Sequence, residues 1–512
     1  MTSWAYEADP SVTSLPKLVK ARMREAAPFI SDGDGRELSY GDYWALAGRL
    51  ANALAAHGVK RGDRVAVQVE KSVEALALFL ACARLGAVFL PLNTAYTVAE
   101  LAYFIGDADP SLIVCAPAQA AALSDLARGR ALLTLDSDGK GSLSTAAAEA
   151  SSSFEDAPSN WDDLAAILYT SGTTGRSKGA MLTHGNLASN ALSLVEAWRF
   201  TDKDVLLHAL PIYHTHGLFT ASNTLLLSGG RMIFRRKFDA NDVIARLPQA
   251  TTMMGVPTFY TRLLQHEGLT RDLVKHMRLF VSGSAPLLAE THREFFARTG
   301  HAILERYGMT ETNMNTSNPY EGERRAGTVG FPLPRVELRI TDPATGKPLP
   351  RGETGMIEVR GPNVFKGYWR MPEKTAEEFR ADGFFITGDL GLIDRDGYVS
   401  IVGRGKDLII TGGFNVYPKE IENEIDALAG VIESAVIGVP HPDFGEGVTA
   451  VVVAKGSGAP SISERDVITA LEPRLAKFKL PKRVIFVADL PRNAMGKVQK
   501  RELRETYAAL YS

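Results

Sequence analysis

Cysteine is nearly absent: Cys82 and Cys115 are the only two in 512 residues. Neither belongs to a Cys/His cluster with metal-ligand spacing, so a disulfide framework and a structural zinc site find no support and both read as buried small hydrophobes. An excess of one charge sign is missing too. With 57 basic against 59 acidic residues and a formal net charge of -2, the chain has no global basic field of the kind that holds nucleic acid, and no nucleic-acid partner is expected. Long apolar runs are equally scarce. The longest, Ala75 to Leu92, is interrupted by Arg84 and contains Gly86, which leaves it short of a membrane span. Met1 to Leu15 is mixed and polar, without the charged start and apolar run of a signal peptide. No membrane partner is expected, and the expected location is cytoplasmic. The chain also lacks internal repeats and long low-complexity tracts.

A composition that is 45% hydrophobic and 23% charged can bury a large core, and the length exceeds that of one usual domain. From Leu164 onward short apolar runs alternate with segments of helical period, which predicts βαβ units and a mainly parallel sheet. Leu164 to Thr170, Val205 to Leu210, Met253 to Gly255, Leu279 to Ser282 and Ile303 to Tyr307 read as strands. Leu187, Ala191, Leu194, Val195 and Trp198 fall on one helical face. Ser137 to Asn160, rich in Ser, Ala and Asp, reads as a surface connection between two halves of one body. Near Gly403 the pattern changes to glycine-rich turns, a helix opened by Pro418, and strands over Val431 to Val439 and Val448 to Val453. The fold class is therefore α/β: a large N-terminal body over residues 1–403 and a small, mobile α+β C-terminal domain over residues 404–512.

The most informative segment is Tyr169-Thr-Ser-Gly-Thr-Thr-Gly-Arg-Ser-Lys178, just after a strand. Its hydroxyls and glycines, Thr170, Ser171, Gly172, Thr173, Thr174 and Gly175, let the backbone approach phosphate oxygens closely, and Lys178 adds a point charge. A Walker A loop would place its lysine directly after the second glycine, whereas Arg176 and Ser177 intervene here. Further runs follow in order: Gly283-Ser284-Ala285-Pro286, Tyr307-Gly308-Met309-Thr310-Glu311, Thr387-Gly-Asp389, Gly403-Arg404-Gly-Lys406-Asp407 and Asn493-Ala-Met-Gly-Lys497.

Together these runs resemble the adenylate-forming superfamily of acyl-CoA synthetases, luciferases and adenylation domains, over nearly the whole chain. The resemblance implies ATP and CoA as co-substrates, Mg2+ as cofactor, and a set of roles. The aromatic ring of Tyr307 offers a face for adenine, the Thr310 hydroxyl holds the α-phosphate, and Glu311 holds Mg2+ through carboxylate oxygen. Glu305 and Arg306 flank the nucleotide site. Asp389 and Arg404 contact ribose, Lys406 is the hinge about which the small domain rotates, and Gly412 and Gly413 line the pantetheine tunnel of CoA. Lys497 serves the first half-reaction, in which carboxylate attack on the α-phosphate brings two anions together and a cation aimed at that charge is worth several kcal/mol, on the order of one preorganised electrostatic donor. His214 matches the position between nucleotide and acyl pockets. A lysine acetyltransferase acting on Lys497 is an expected partner, because neutralising that charge would disable adenylation. Lys500 reads as a solvated lysine.

Where many members have a small residue just before the Tyr-Gly motif, this chain has Arg306. On a strand Arg306 and Gly308 point to one face, so the guanidinium projects into the acyl pocket, where a second substrate carboxylate would satisfy it in bidentate geometry. The run Glu305 to Ser317, with Pro211-Ile-Tyr-His-Thr-His216, looks like the malonyl-CoA synthetases. The small-molecule dicarboxylate expected is malonate, with methylmalonate also accepted, and Arg306, His216, Ser282, Gly308 and Met309 around it. The reaction expected is AMP-forming acid:CoA ligation through malonyl-AMP, with release of pyrophosphate. The rivals are another short- or medium-chain acyl-CoA synthetase and a stand-alone adenylation enzyme loading a carrier-protein thiol; the chain ends soon after Lys497, so an attached carrier is not expected.

Overall fold

The apolar runs pair into two large sheets in the first of two compact units, which comprises Met1–Ala326, Gly330–Glu337 and Val359–Phe385; the second comprises Gly327–Val329, Leu338–Glu358 and Ile386–Ser512. The computed structural model describes residues 9–32, 35–170, 177–412, 414–455, 462–493 and 496–511. The six-stranded sheet runs Ala131–Thr134, Leu112–Cys115, Arg64–Gln68, Val88–Pro91, Leu164–Thr170 and Lys178–Thr183. It is parallel except for its last pair, which is antiparallel. The nine-stranded sheet has a parallel centre, Leu304–Met309, Leu279–Ser282, Thr252–Gly255, Val205–His208, Arg231–Phe234 and Pro28–Ser31, with antiparallel edges. Strands Leu112–Cys115, Thr252–Gly255 and Leu279–Ser282 are buried throughout, which is why they read as unbroken apolar runs rather than alternations.

The interrupted stretch Ala75 to Leu92 is two elements: the helix Val73–Leu85, closed by Gly86 at φ 72, and the strand Val88–Pro91. Arg84 is tolerated in this core because its guanidinium is fully engaged, by Asp156 at 2.6 Å and by the carbonyls of Trp44 and Phe154, both at 2.9 Å. The helix His184–Ala197 starts in a capping box between Thr183 and Asn186, and Leu187, Ala191 and Leu194 are buried along it. The segment expected as a plain surface connection contains a helix, Ser142–Glu149, anchored by Leu143 and Ala147.

The second unit holds most of a sheet of Glu337–Thr341, Gly355–Arg360, Phe385–Ile393 and Val399–Arg404, and a second sheet built on Val431–His441 and Gly445–Ala454. Pro418 opens the helix Pro418–Asp426, whose Ile421 and Ile425 are wholly buried in that sheet's core. Lys500 is not simply solvated. Its ammonium lies 2.5 Å from Glu422, a buried carboxylate of that helix, because a buried anion requires a cation from somewhere in the chain. No helix of the described residues is long and apolar enough to cross a membrane.

Candidate active site

The hairpin Leu164–Thr170 and Lys178–Thr183 brings Thr170 and Lys178 into direct register. Lys178 is buried, and its ammonium lies 2.8 Å from Glu378 Oε1 and 3.9 Å from the ring centroid of Tyr368. The Tyr368 hydroxyl stands 2.7 Å from Glu378 Oε2 and 3.0 Å from Glu311 Oε1, so one phenol bridges two carboxylates. Burial and the Glu311 charge push that phenol far up, which keeps its proton in place. Burial raises Glu378, but Lys178, Tyr368 and Lys374 outweigh it and hold the carboxyl below its ordinary value. Tyr368 and Glu378 carry no motif signal; only their contacts identify them.

Glu311 is buried, and Thr170 Oγ1 donates to its Oε1 at 3.4 Å. Among the described residues no group of three metal-ligating side chains occurs. That donor set fits Mg2+, which is held by one or two carboxylates together with substrate phosphates rather than by a protein cage. Tyr307, Met309 and Thr310 are half-buried on the same strand end, and Glu305 beside them is buried, with Oε1 accepting from Leu287 N at 3.0 Å.

Arg306 is 3% exposed, and its Nε and Nη2 find no hydrogen-bond partner among the described residues. Burial, the largest influence, lowers its pKa to about 9. The pairing shifts register between Tyr307 and Gly308, where the partner strand carries one extra residue, Asn315. The guanidinium packs against Gly283, where a Cβ would fall 2.3 Å from Cζ. Beside it His216 is fully buried, with Nδ1 3.2 Å from Ser284 Oγ; its Nε2 and the hydroxyl of buried Ser282 have no hydrogen-bond partner among the described residues. Burial first, then Arg306, depress His216 well below its ordinary value, so it is neutral. Ser284 has φ 74, a strained value for serine. Gly283 is buried, Ala285 half-buried and Pro286 exposed. His214 is half-buried, and its Nδ1 accepts from His216 N at 3.3 Å.

In the second unit Asp389 and Arg404 form an ion pair at 2.7 Å. Lys406 is exposed in a short turn, Gly405–Asp407, and Arg504 pairs with Asp407 at 2.9 Å. Lys497 retains an exposed surface, yet desolvation of its ammonium and the charge of Arg404 lower its pKa, opposed by Asp389 and Asp407. Gly412 has φ 56, and its N–H donates to Phe444 O at 2.8 Å. The first unit thus gathers Thr170, Lys178, Glu311 and the Arg306 cluster, and the second gathers Asp389, Arg404, Lys406 and Lys497. Ser171, Gly172, Thr173, Thr174, Gly175 and Gly413 lie outside the described residues.

The model of the AMP-binding enzyme family matches residues 19–369, and that of the AMP-binding enzyme C-terminal domain matches residues 420–497. A feruloyl-CoA synthase of Amycolatopsis sp is 38% identical over 493 residues, covering 95% of this chain and 97% of that protein. A malonate–CoA ligase of Arabidopsis thaliana is 34% identical over 545 residues, covering 96% of this chain and 89% of the relative. The crystal structure of ATP-bound MatB from Rhodopseudomonas palustris superposes with a TM-score of 0.95 at 63% identity, covering 98% of this chain and 99% of that one. With a family model spanning most of its length and relatives matched nearly end to end, this chain belongs to the AMP-binding enzyme family.

Proposed function

We propose that this protein is a malonate:CoA ligase, converting malonate, ATP and CoA into malonyl-CoA, AMP and pyrophosphate, and also accepting methylmalonate. The observation that carries the substrate is Arg306: a buried guanidinium with two nitrogens unpartnered among the described residues requires an anion, and the distal carboxylate of malonate supplies one in bidentate form. His216, neutral and with Nε2 likewise unpartnered among them, offers a second hydrogen bond, and Ser282, Gly308 and Met309 complete the acyl site. Malonate–CoA ligases stand among the relatives of matched length, which supports the same reading.

In the first step a malonate carboxylate oxygen attacks the α-phosphorus and pyrophosphate leaves. In the second the CoA thiolate attacks the acyl carbon and AMP departs, so no enzyme nucleophile is needed. We assign Lys178 and the hydroxyls and glycines of residues 170–175 to the phosphates, and residues 283–286, Glu305 and Tyr307 to the nucleotide. Thr310 takes the α-phosphate, Asp389 and Arg404 the ribose, and Lys497 the charge that develops during adenylation. His214 stands between the two pockets. The small domain turns about Lys406 between half-reactions and Gly412 and Gly413 then admit pantetheine. Glu311 would hold Mg2+, which when bound neutralises phosphate charge. Acetylation of Lys497, whose side chain retains an exposed surface, would silence the first step and leave the second.

Pyrophosphate release with Mg-ATP and CoA, measured across acetate, butyrate, malonate, methylmalonate, succinate and benzoate for wild type and Arg306→Ala, tests this. Malonate should lead and the variant should lose it selectively, because a site built around a charged partner rejects analogues that leave it unpaired. A leading monocarboxylate would overturn the substrate. Acyl transfer to a carrier-protein thiol but not to CoA would overturn the ligase.

A further inference from the structure

Lys71 is a buried cation that the reaction does not use. It is 6% exposed, precedes the helix Val73–Leu85, and pairs with no carboxylate among the described residues. Its three N–H groups are all spent on one place: His208 Nδ1 at 2.9 Å, His208 O at 2.9 Å and Leu210 O at 2.8 Å. The ring of Phe234 lies 4.1 Å beneath the ammonium. The Gly217 carbonyl only accepts, so the His208 ring proton sits on Nε2 and Nδ1 accepts; three acceptors then hold Lys71 as an ammonium against burial and the charge of Arg235, which press its pKa well down. His208 Nε2 is 2.9 Å from Gly217 O, to which the Ser222 hydroxyl also donates at 2.9 Å.

These bonds close the ends of one loop. Lys71 holds the carbonyls where strand Val205–His208 runs out, and His208 holds the carbonyl of Gly217 where the chain re-enters a helix through a π-turn over His216–Ala221. Between them stand His214 and His216. The closure is tight: a Cβ on Gly217 would lie 2.0 Å from Pro211 O. From Thr215 inside the loop, Oγ1 donates to Asn313 Oδ1 at 2.8 Å. His216 Nδ1 reaches Ser284 at 3.2 Å.

We propose that Lys71 and His208 are positioning residues for the acyl site, a buried clamp that fixes the loop between His208 and Gly217 and thereby aims His214 and His216 at the acid. The proposal rests on the reading of that loop as part of the acyl site. Neither residue touches a substrate. A clamp acts as a unit, so its two members should fail together rather than in sequence.

The test is steady-state pyrophosphate release by Lys71→Met, His208→Leu, their double variant and His208→Gln, with malonate and ATP varied separately. Each of Lys71→Met and His208→Leu should raise the KM for malonate at least about 10-fold and leave the KM for ATP within about twofold, the double should be no worse than the poorer single, and His208→Gln, which keeps a donor for Gly217, should recover much of the loss. Unchanged malonate KM, equal rises for malonate and ATP, or multiplied effects in the double would overturn the clamp. Should Lys71→Met not fold, the contrast between His208→Gln and His208→Leu decides the same question. If another acid leads in wild type, the malonate reading falls and the clamp is judged by that acid's KM.

Discussion

Asp389 and Arg404 face each other in register across the antiparallel strands Phe385–Ile393 and Val399–Arg404, with Nε 2.7 Å from Oδ1. The pair is built from the backbone outward. Gly388 at φ 74 turns the strand, and the Thr387 hydroxyl accepts from Asp389 N at 3.1 Å while donating to Ile357 O at 2.8 Å. Asp389 is 4% exposed, and the guanidinium sets an opposite charge beside this buried carboxylate. Two residues proposed to hold the ribose are thus preorganised by one another.

Arg404→Ala should therefore raise the KM for ATP by about 10- to 100-fold, the equivalent of one hydrogen bond to a charged group at about 1.5–3 kcal/mol. Arg404→Lys should restore only part of it, since an ammonium lacks the planar fork. Malonate-dependent pyrophosphate exchange at saturating malonate measures this; an equal rise in the KM for malonate would count against the ribose assignment.

Local signals made much of this legible. Leu164–Thr170 and Leu279–Ser282 are strands over the bounds their apolar runs indicate, and Pro418 opens its helix as its fixed φ suggests. Arg306 was visible as a misfit, a charge in a buried strand. The partners of these residues were not. Lys178 and Glu378 lie 200 positions apart, and His208 is 137 positions from Lys71. No periodicity carries a contact of that span, because it is decided by how the sheets stack. The register shift after Tyr307 was invisible for a related reason: the extra residue, Asn315, lies in the partner strand Asn313–Ser317, and which residues face one another is decided by the pairing of the two strands.

The Lys178–Glu378 pair predicts a coupling between nucleotide and stability. Glu378→Gln leaves a buried ammonium without its carboxylate, a loss on the order of 3–5 kcal/mol for a buried pair. The apparent Tm of the first unit should drop by several degrees. Mg-ATP should then raise the variant's Tm more than that of the wild type, since phosphate oxygens would return the missing charge to Lys178. Thermal unfolding with and without Mg-ATP is the measurement, and equal nucleotide shifts in the two proteins would separate Lys178 from the phosphates.

Gly283→Ala offers a steric counterpart to Arg306→Ala. The new methyl would sit 2.3 Å from Cζ and 2.5 Å from Nε of the guanidinium, so the guanidinium must leave its place while its charge remains. The expected result is a kcat/KM for malonate lowered by more than about 10-fold, and by a larger factor than that for ATP, to whose site the same segment is assigned. A variant with wild-type malonate kinetics would show that the guanidinium need not lie against Gly283 for the acid to bind.

Asp426 predicts the pH response of the second unit. It ends the helix Pro418–Asp426, where the helix dipole disfavours an anion, and receives the Ser434 hydroxyl at 2.7 Å. Burial is the main cause that pushes its carboxyl up from 3.8 to about 7; Glu422 and Glu433 add to the rise, and Lys419 opposes it. Between those two values the folded state keeps a proton that the unfolded state has lost, so stability is fully present below pH 3.8 and falls as pH rises through about 7. Asp426→Asn keeps an acceptor for Ser434 and removes the titration. In calorimetric scans at pH 5 and pH 8 the variant should gain stability over wild type mainly at pH 8, and a gain of the same size at both pH values would mean that Asp426 is ionised throughout.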